Sequence, residues 1–147
     1  MTPGEKYKIM FLCTANSCRS QMAEGLARHF GEGIIEPCSA GLFAHYVHPG
    51  AIHAMKEIDI DISGQKSKDI DKNILKDMDI IVTLCGNAEA ACPVVPAEIK
   101  RIHWPINDPV GAVGTGEEIR DAFRRARDEI KGKIQDLIED LKSHLNA

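Results

Sequence analysis

Residues 7–20 read YKIMFLCTANSCRS, and this stretch decides the fold. Tyr7 to Cys13 is an apolar run with the length of a short buried strand. After a polar loop, Met22, Leu26 and Phe30 recur every four residues, which is the spacing of one helical face. The stretch therefore predicts a strand, a tight loop and a helix, which together form the opening unit of an α/β fold.

The rest of the chain continues the alternation of strands and helices. Further strands are predicted at residues 34–39, 79–84 and 99–104, with a turn at residues 40 and 41. Pro49 suits the first turn of a short helix, and residues 60–78 suggest a surface segment with one short helix. Thr115 and Glu118 form a capping box before a long amphipathic helix that runs to the C-terminus. This pattern predicts a parallel sheet covered by helices, with ligands bound beyond the carboxyl ends of its strands.

Composition limits the classes of protein that the chain can belong to. Its 147 residues fit one domain over residues 1–147, and 18 basic against 22 acidic side chains give a formal net charge of -4. This balance gives no broad basic surface for nucleic acid, and no apolar stretch reaches the length of a membrane span. We expect a cytoplasmic monomer that binds neither nucleic acid nor membrane, and whose five cysteines are thiols.

The loop after the first strand combines a thiol with an anion trap. Its backbone N–H groups converge on one point, the next helix adds its positive dipole end, and Arg19 can donate two hydrogen bonds to an oxyanion. The same field favours the thiolate of Cys13, and the Ser20 hydroxyl could stabilise it further. Taken alone, Cys13 would be the apolar end of a strand, but Cys-x5-Arg-Ser at a strand-to-helix junction favours a functional reading. The predicted anion-binding loop comprises Thr14, Ala15, Asn16, Ser17, Cys18 and Arg19.

Two later features are candidates for the same site. Asp108 precedes Pro109, which holds it in an extended conformation, although Asn-Asp-Pro alone is a turn signal. Cys85 and Cys92 are separated by six mostly small residues. On a regular helix they would lie about 10 Å apart along the axis, beyond the reach of a disulfide, so pairing them requires the segment to refold. Taken singly, each would be a packing residue, and their spacing disfavours zinc.

These motifs resemble the low-molecular-weight tyrosine phosphatase superfamily, and in particular its thioredoxin-coupled arsenate reductases. The resemblance rests on Cys-x5-Arg-Ser followed by residues 21–24 (QMAE), on residues 39–41 (SAG) and on residues 82–85 (VTLC), and it extends from about Ile9 to about Asp140. It implies a three-layer α/β fold with a four-stranded parallel sheet flanked by helices. Ala15 stands where the family pattern usually has glycine, and a positive φ there would strain the loop.

The resemblance also implies a mechanism, the reduction of arsenate to arsenite. Cys13 attacks arsenate while Asp108 protonates the departing oxygen, and Cys85 then attacks Cys13 and releases arsenite. Cys92 attacks Cys85, and thioredoxin reduces the resulting disulfide. The resemblance further implies that the protein has no tightly bound cofactor and takes thioredoxin as its electron donor. It implies arsenate as the substrate, with phosphate or sulfate as competitors. Glutaredoxin with glutathione, or another dithiol protein, remains an alternative reductant.

Some relatives bind potassium beside the anion loop. The corresponding groups here are Asn16, Glu24 and Ser39, with a further carboxylate expected near position 68. This chain has Lys68 there, and its ammonium could replace the cation. We therefore expect no metal requirement.

Three other functions are compatible with parts of the pattern. A protein tyrosine phosphatase acting through a Cys13 phosphocysteine would share Arg19 and Asp108. It would not need the pair of later cysteines, and relatives of that type have an aromatic residue soon after Asp-Pro, where Val110 stands here. Aromatic residues make up only 5% of the chain, which favours a pocket for a small inorganic oxyanion. A non-enzymatic phosphate-binding module and an arsenite-binding regulator are the remaining alternatives.

Overall fold

A computed structural model describes residues 5–145 of the chain. Within these residues, four strands form one sheet in the order β2-β1-β3-β4, and every neighbouring pair is parallel. The predicted four-stranded parallel sheet is thus confirmed, whereas a single domain over the whole of residues 1–147 stays a prediction because the ends lie outside the described residues. The strands are β1 (Tyr7–Cys13), β2 (Ile35–Gly41), β3 (Ile80–Thr83) and β4 (Lys100–His103).

Helices connect the strands and begin where the sequence provides caps. Pro49 occupies the first turn of α2, as predicted, and the Asp71 side chain caps α3. The capping box before α5 is confirmed, because Thr115 Oγ1 accepts from Glu118 N at 3.1 Å and Glu118 Oε1 accepts from Thr115 N at 3.2 Å. The helices are α1 (Arg19–Phe30), α2 (Pro49–Lys56), α3 (Lys72–Lys76), α4 (Gly86–Ala91) and α5 (Gly116–Leu145).

The hydrophobic core surrounds the sheet. All four residues of β3 and the last five of β1 are buried, so these central strands are covered on both faces. α1 packs on α5 through buried apolar stripes, and α5 also packs on α2. The sheet is therefore the middle layer of the three-layer fold that the sequence predicted. No helix within residues 5–145 is long and apolar enough to cross a membrane.

The end of β2 differs from the prediction. The strand continues through Gly41, which pairs with Cys13, and the turn predicted at residues 40 and 41 does not form there. A Cβ on Gly41 would lie only 2.6 Å from the backbone nitrogen of Asn16. Glycine thus allows β2 to run directly beside the loop that follows β1.

The strand register brings three loops together at one edge of the sheet. Leu12 pairs with Thr83, and Thr83 pairs with His103, so β1, β3 and β4 end at the same level. The pairing continues beyond the strands, since Leu84 N donates to Leu12 O at 2.8 Å and Ile106 N donates to Leu84 O at 3.2 Å. The segments that follow β1, β3 and β4 therefore meet, as expected for a parallel sheet.

Candidate active site

The loop after β1 turns its carbonyl groups away from the site. Thr14 O accepts from Leu42 N at 2.8 Å, Ala15 O accepts from the Ser67 hydroxyl at 2.9 Å, and Ser17 O accepts from His48 N at 2.8 Å. Within residues 5–145, the N–H groups of residues 15–18 donate to no other protein group. These donors, together with the first turn of α1, form a concave backbone site suited to an oxyanion.

The strain that a positive φ would cause at Ala15 does not arise. The positive φ of the loop falls on Asn16, at 48°, and Ala15 is not among the positive-φ residues of the described chain. Asparagine tolerates the left-handed region better than most residues because its short polar side chain forms local hydrogen bonds. Asn16 does so here: Gln21 Nε2 donates to both its backbone and its side-chain oxygen, at 2.9 and 3.0 Å.

A hydrogen-bonded chain orients the Ser20 hydroxyl towards the thiol. Asn16 Nδ2 donates to Ser20 Oγ at 2.8 Å, and Ser20 Oγ lies 2.8 Å from Cys13 Sγ. Because the Ser20 oxygen already accepts from Asn16, its single proton is available to Cys13. All three residues are buried, with at most 3% of their surface exposed. The Ser20 hydroxyl is thereby oriented to donate a hydrogen bond to the Cys13 sulfur.

Arg19 and Asp108 face each other across the same site. Their side chains approach to 3.5 Å, and Arg19 is held on its other side by Ile106 O at 3.0 Å. Asp108 has an extended backbone and accepts from Val110 N at 3.0 Å. Its side chain is half exposed, so the carboxyl group can exchange protons with solvent.

One cavity of about 560 Å³ joins these groups. Cys13, Arg19, Cys85 and Asp108 all line it, together with the predicted loop residues Thr14, Ala15, Ser17 and Cys18. Asn16 and Ser20 support the loop from behind. The structure therefore brings the predicted residues together, with Cys92 outside the cavity lining.

The cavity also has an aromatic wall that the sequence did not indicate. Tyr46 and His45 line it from the segment between β2 and α2. His48 lines it too, and its Nδ1 caps α2 by accepting from Gly50 N at 2.9 Å. The segment after Asp108 has no aromatic residue close to it, but the pocket as a whole does have an aromatic side chain, because Tyr46 comes from a different segment. No local signal marks Tyr46, because only the fold brings this segment to the mouth of the cavity.

Cys85 and Cys92 bracket α4. Cys85 is its N-terminal cap, accepting from Ala88 N at 3.3 Å, and its sulfur lies 3.3 Å from Thr14 Oγ1 in the anion loop. Cys92 follows the last helical residue, so the two thiols stand at opposite ends of a helix. Partial burial raises the pKa of the Cys92 thiol, and Glu89 contributes to the increase while Arg101 opposes it.

The other two cysteines lie in settings that disfavour reactivity. Burial raises the pKa of the Cys18 thiol, and the nearby Asp108 and Cys13 add to the effect. Burial also raises the pKa of Cys38 to about 11. Both groups are held as protonated thiols at neutral pH, which supports their omission from the predicted mechanism.

The candidate cation site is filled by side chains of the chain itself. Glu24 is buried and accepts from Ser39 Oγ at 2.6 Å and from Arg28 at 2.7 Å, and Lys68 Nζ lies 3.9 Å from it. The Asn16 side-chain oxygen accepts from Lys68 N at 2.8 Å. Two cationic groups thus surround the carboxylate, and these residues do not fit a potassium ion. Within the described residues, no cluster of His, Cys, Asp or Glu is arranged to hold a metal.

Comparisons with known proteins agree with this geometry. A family model described as low molecular weight phosphotyrosine protein phosphatase matches residues 8–147. An arsenate reductase of Bacillus subtilis is 50% identical over 131 residues, covering 89% of this chain and 94% of that protein. A solved arsenate reductase in the phosphate binding state has a TM-score of 0.76 and 38% identity, covering 92% of this chain and 98% of that one.

A more distant structure shares the fold. A thioredoxin-dependent arsenate reductase of Corynebacterium glutamicum has a TM-score of 0.77 at 22% identity, covering 97% of this chain and 65% of that one.

Proposed function

The chain belongs to the low-molecular-weight phosphotyrosine protein phosphatase family, and we propose from this membership and from the site geometry that it reduces arsenate to arsenite through a relay of three cysteines. One observation carries the proposal. Cys13 in the oxyanion loop and Cys85 line a single cavity, with Thr14 in contact with the Cys85 sulfur, and Cys92 stands at the far end of α4. A simple phosphatase needs neither of the later thiols.

The first step is attack of the Cys13 thiolate on arsenic. The loop N–H groups and Arg19 hold the arsenate oxygens, and Ser20 stabilises the thiolate until it reacts. Asp108 protonates an arsenate hydroxyl group, the arsenic–oxygen bond breaks as water leaves, and a sulfur–arsenic bond forms. Its position beside Arg19 and its access to solvent support this role.

The second step transfers two electrons to arsenic. The Cys85 thiolate attacks the Cys13 sulfur, a Cys13–Cys85 disulfide forms, and the electron pair of the sulfur–arsenic bond leaves with arsenic as arsenite. Thr14 Oγ1, at 3.3 Å from Cys85 Sγ, is placed to donate a hydrogen bond to that thiolate. The Cys92 thiolate then attacks Cys85, which forms a Cys85–Cys92 disulfide and returns Cys13 as a thiolate.

Thioredoxin is the reductant that we propose for the final disulfide. The Cys85–Cys92 disulfide no longer involves the buried Cys13 and includes Cys92, which lies outside the cavity lining, so it is more accessible to a dithiol protein than a Cys13–Cys85 bond. A cytoplasmic location fits this chemistry, because a thiol relay needs a reducing compartment. Phosphate and sulfate, which share the tetrahedral oxyanion geometry, are the expected competitors, and the chain is expected to act as a monomer without a tightly bound cofactor or a metal.

A side activity on aryl phosphates is the second candidate. Tyr46 lines the cavity from the segment before α2 and offers a ring against which an aryl group could pack. Cys13, Arg19 and Asp108 would serve phosphate ester cleavage equally well.

Coupled NADPH consumption with thioredoxin and thioredoxin reductase tests the main proposal. Arsenate-dependent turnover is expected for the native chain and is expected to vanish in Cys13→Ser, Cys85→Ser and Cys92→Ser. Cys38→Ser is the matched control and should retain turnover. A native chain that hydrolyses an aryl phosphate through Cys13 but shows no arsenate-dependent turnover would reverse the assignment in favour of the phosphatase.

A further inference from the structure

Glu89 is the single charged side chain of α4, and it contacts both neighbouring strands. Thr83 Oγ1, at the end of β3, donates a short hydrogen bond to Glu89 Oε2. From β4, Arg101 lies 3.5 Å from Glu89 Oε1 and also donates to the Glu89 backbone carbonyl at 3.4 Å. His103 Nδ1 lies 3.9 Å from the same carboxylate. These four residues, Glu89, Thr83, Arg101 and His103, are called the Glu89 latch below.

The single proton of the Thr83 hydroxyl determines which groups donate and which accept in the Glu89 latch. The Thr83 hydroxyl carries one proton, which the carboxylate of Glu89 accepts. His103 Nδ1 lies 2.9 Å from the same hydroxyl, and in the tautomer with its proton on Nδ1 it donates to the hydroxyl oxygen. Thr83 is only 1% exposed, so this chain of hydrogen bonds anchors Glu89 to a buried group at the carboxyl end of β3.

Little else attaches α4 to the sheet. Ala88 is its one fully buried residue, and residues 86, 87, 90 and 91 are exposed. A helix of six residues is not stable by itself, so its tertiary contacts decide whether it forms. Apart from the Cys85 cap, the described attachments of α4 are the Ala88 side chain and the Glu89 latch.

We propose that Glu89 is a positioning residue that keeps α4 folded in the reduced enzyme and delays the transfer of the disulfide to Cys92. The inference rests on the proposed function, in which the Cys92 thiolate attacks Cys85, forms the Cys85–Cys92 bond and releases Cys13 as the leaving thiolate. Because the two thiols stand at opposite ends of α4, the helix must open before they can bond. Opening breaks the latch, so its contacts exist in the reduced form and are lost in the oxidised one.

Two consequences follow from this difference between the forms. The latch stabilises the dithiol relative to the disulfide, so removing it should shift the thiol–disulfide equilibrium towards the disulfide. It also restrains α4 during the last transfer, so removing it should speed formation of the Cys85–Cys92 bond. A residue with only a structural role would change neither quantity in this direction.

The experiment compares Glu89→Ala and Thr83→Val with the native full-length chain. Alanine keeps the intrinsic helix propensity of α4, so the first variant removes the side-chain contacts and charge of Glu89 without introducing a poorer helix former. Thr83→Val removes the hydroxyl but leaves the charge of Glu89 near Cys92. Glu98→Ala, in the exposed loop before β4, is the matched control for loss of an acidic side chain.

Two measurements are made by thiol trapping and peptide mapping. One is the fraction of Cys85–Cys92 disulfide at equilibrium in glutathione buffers, and the other is its rate of appearance in a single turnover with arsenate. For Glu89→Ala we expect the equilibrium constant to shift about tenfold towards the disulfide. This corresponds to a reduction potential of the Cys85–Cys92 pair that is about 30 mV more negative. Thr83→Val should shift the equilibrium constant in the same direction, and the double variant should shift it little further than either single variant. Each single variant should form the Cys85–Cys92 disulfide several-fold faster than the native chain.

Different failures separate the two proposals. Glu89→Ala and Glu98→Ala with equal equilibrium constants and equal rates would overturn the latch. A native chain that forms no Cys85–Cys92 disulfide with arsenate, while Glu89→Ala still shifts the glutathione equilibrium, would overturn the proposed function and support the latch.

Discussion

Replacing Ser20 by alanine tests how the site activates its thiol. The Ser20 hydroxyl is the neutral donor 2.8 Å from Cys13 Sγ, and its oxygen already accepts from Asn16. A hydrogen bond to a charged group contributes about 1.5–3 kcal/mol, and both partners here are buried, so solvent screening does not reduce it. The fraction of Cys13 present as thiolate should therefore fall roughly 10- to 100-fold at pH values where the thiol form dominates.

A second effect opposes this loss. A thiolate that is less stabilised is also more nucleophilic, and rates of attack on disulfides rise with thiol basicity with a coefficient of about 0.4–0.5. The net rate with a small neutral disulfide should thus fall only about 3- to 10-fold at mildly acidic pH. At alkaline pH, where both proteins are thiolates, the variant should be about 3- to 8-fold faster than the native chain.

The assay is the pH profile of Cys13 modification, with the modified residue identified by peptide mapping. Crossing profiles are the expected result, with the native chain faster in acid and Ser20→Ala faster in alkali. Ser17→Ala, in the same loop, is the control and should follow the native profile. A Ser20→Ala variant that is slower at every pH, with an unchanged midpoint, would refute thiolate stabilisation and indicate a distorted loop instead.

Three further predictions concern acid stability, the cation and the loop. Hydrogen bonds from Arg124 are the main reason that the pKa of Glu57 is lowered to about 2. The ion pairs of Glu57 therefore stabilise the fold above about pH 4.5, and this contribution is lost as the pH falls from there towards 2. The native thermal midpoint should therefore drop further than that of Glu57→Gln on moving from neutral pH to about pH 3. Arsenate turnover of the native chain should be equal in potassium and sodium salts, whereas Lys68→Met should acquire a potassium dependence. Equal potassium dependence of the native chain and the variant would argue against the Lys68 ammonium taking the place of the cation. Gly41→Ala places a Cβ 2.6 Å from Asn16 N and should weaken the protection of Cys13 by bound phosphate at least about tenfold. Gly64→Ala, which has open space around the added Cβ, should leave this protection unchanged. The measurement is the rate of Cys13 alkylation at increasing phosphate concentration.

Much of the fold was predictable because its signals are local. The apolar run from Tyr7 to Cys13 predicted β1 at its observed bounds, and the Thr115–Glu118 box predicted the start of α5 within two residues. The anion loop is equally local, because its convergent N–H groups belong to consecutive residues. The end of β2 was missed because Gly41 is a turn former in sequence but here is held by pairing with Cys13.

The composition of the site was only partly predictable. Cys85 and Asp108 were candidates from their motifs, but their distance from Cys13 depends on contacts between distant segments. Thr14 and Cys85 are 71 residues apart in sequence, and Arg19 meets a carbonyl 87 residues away. Tyr46 had no motif to mark it at all.

The sequence alone determined the four strands approximately, the long C-terminal helix and the thiol with its oxyanion loop. It also showed that Cys85 and Cys92 would be too far apart to bond if a regular helix separated them. The tertiary structure decided that Cys85 and Asp108 share a cavity with Cys13, that cationic side chains surround Glu24, and that Glu89 ties α4 to β3 and β4. The physical reason is the range of the interactions. Helix periods, caps and loop geometry are set by neighbours along the chain, whereas strand order and register are set by the packing of the whole core.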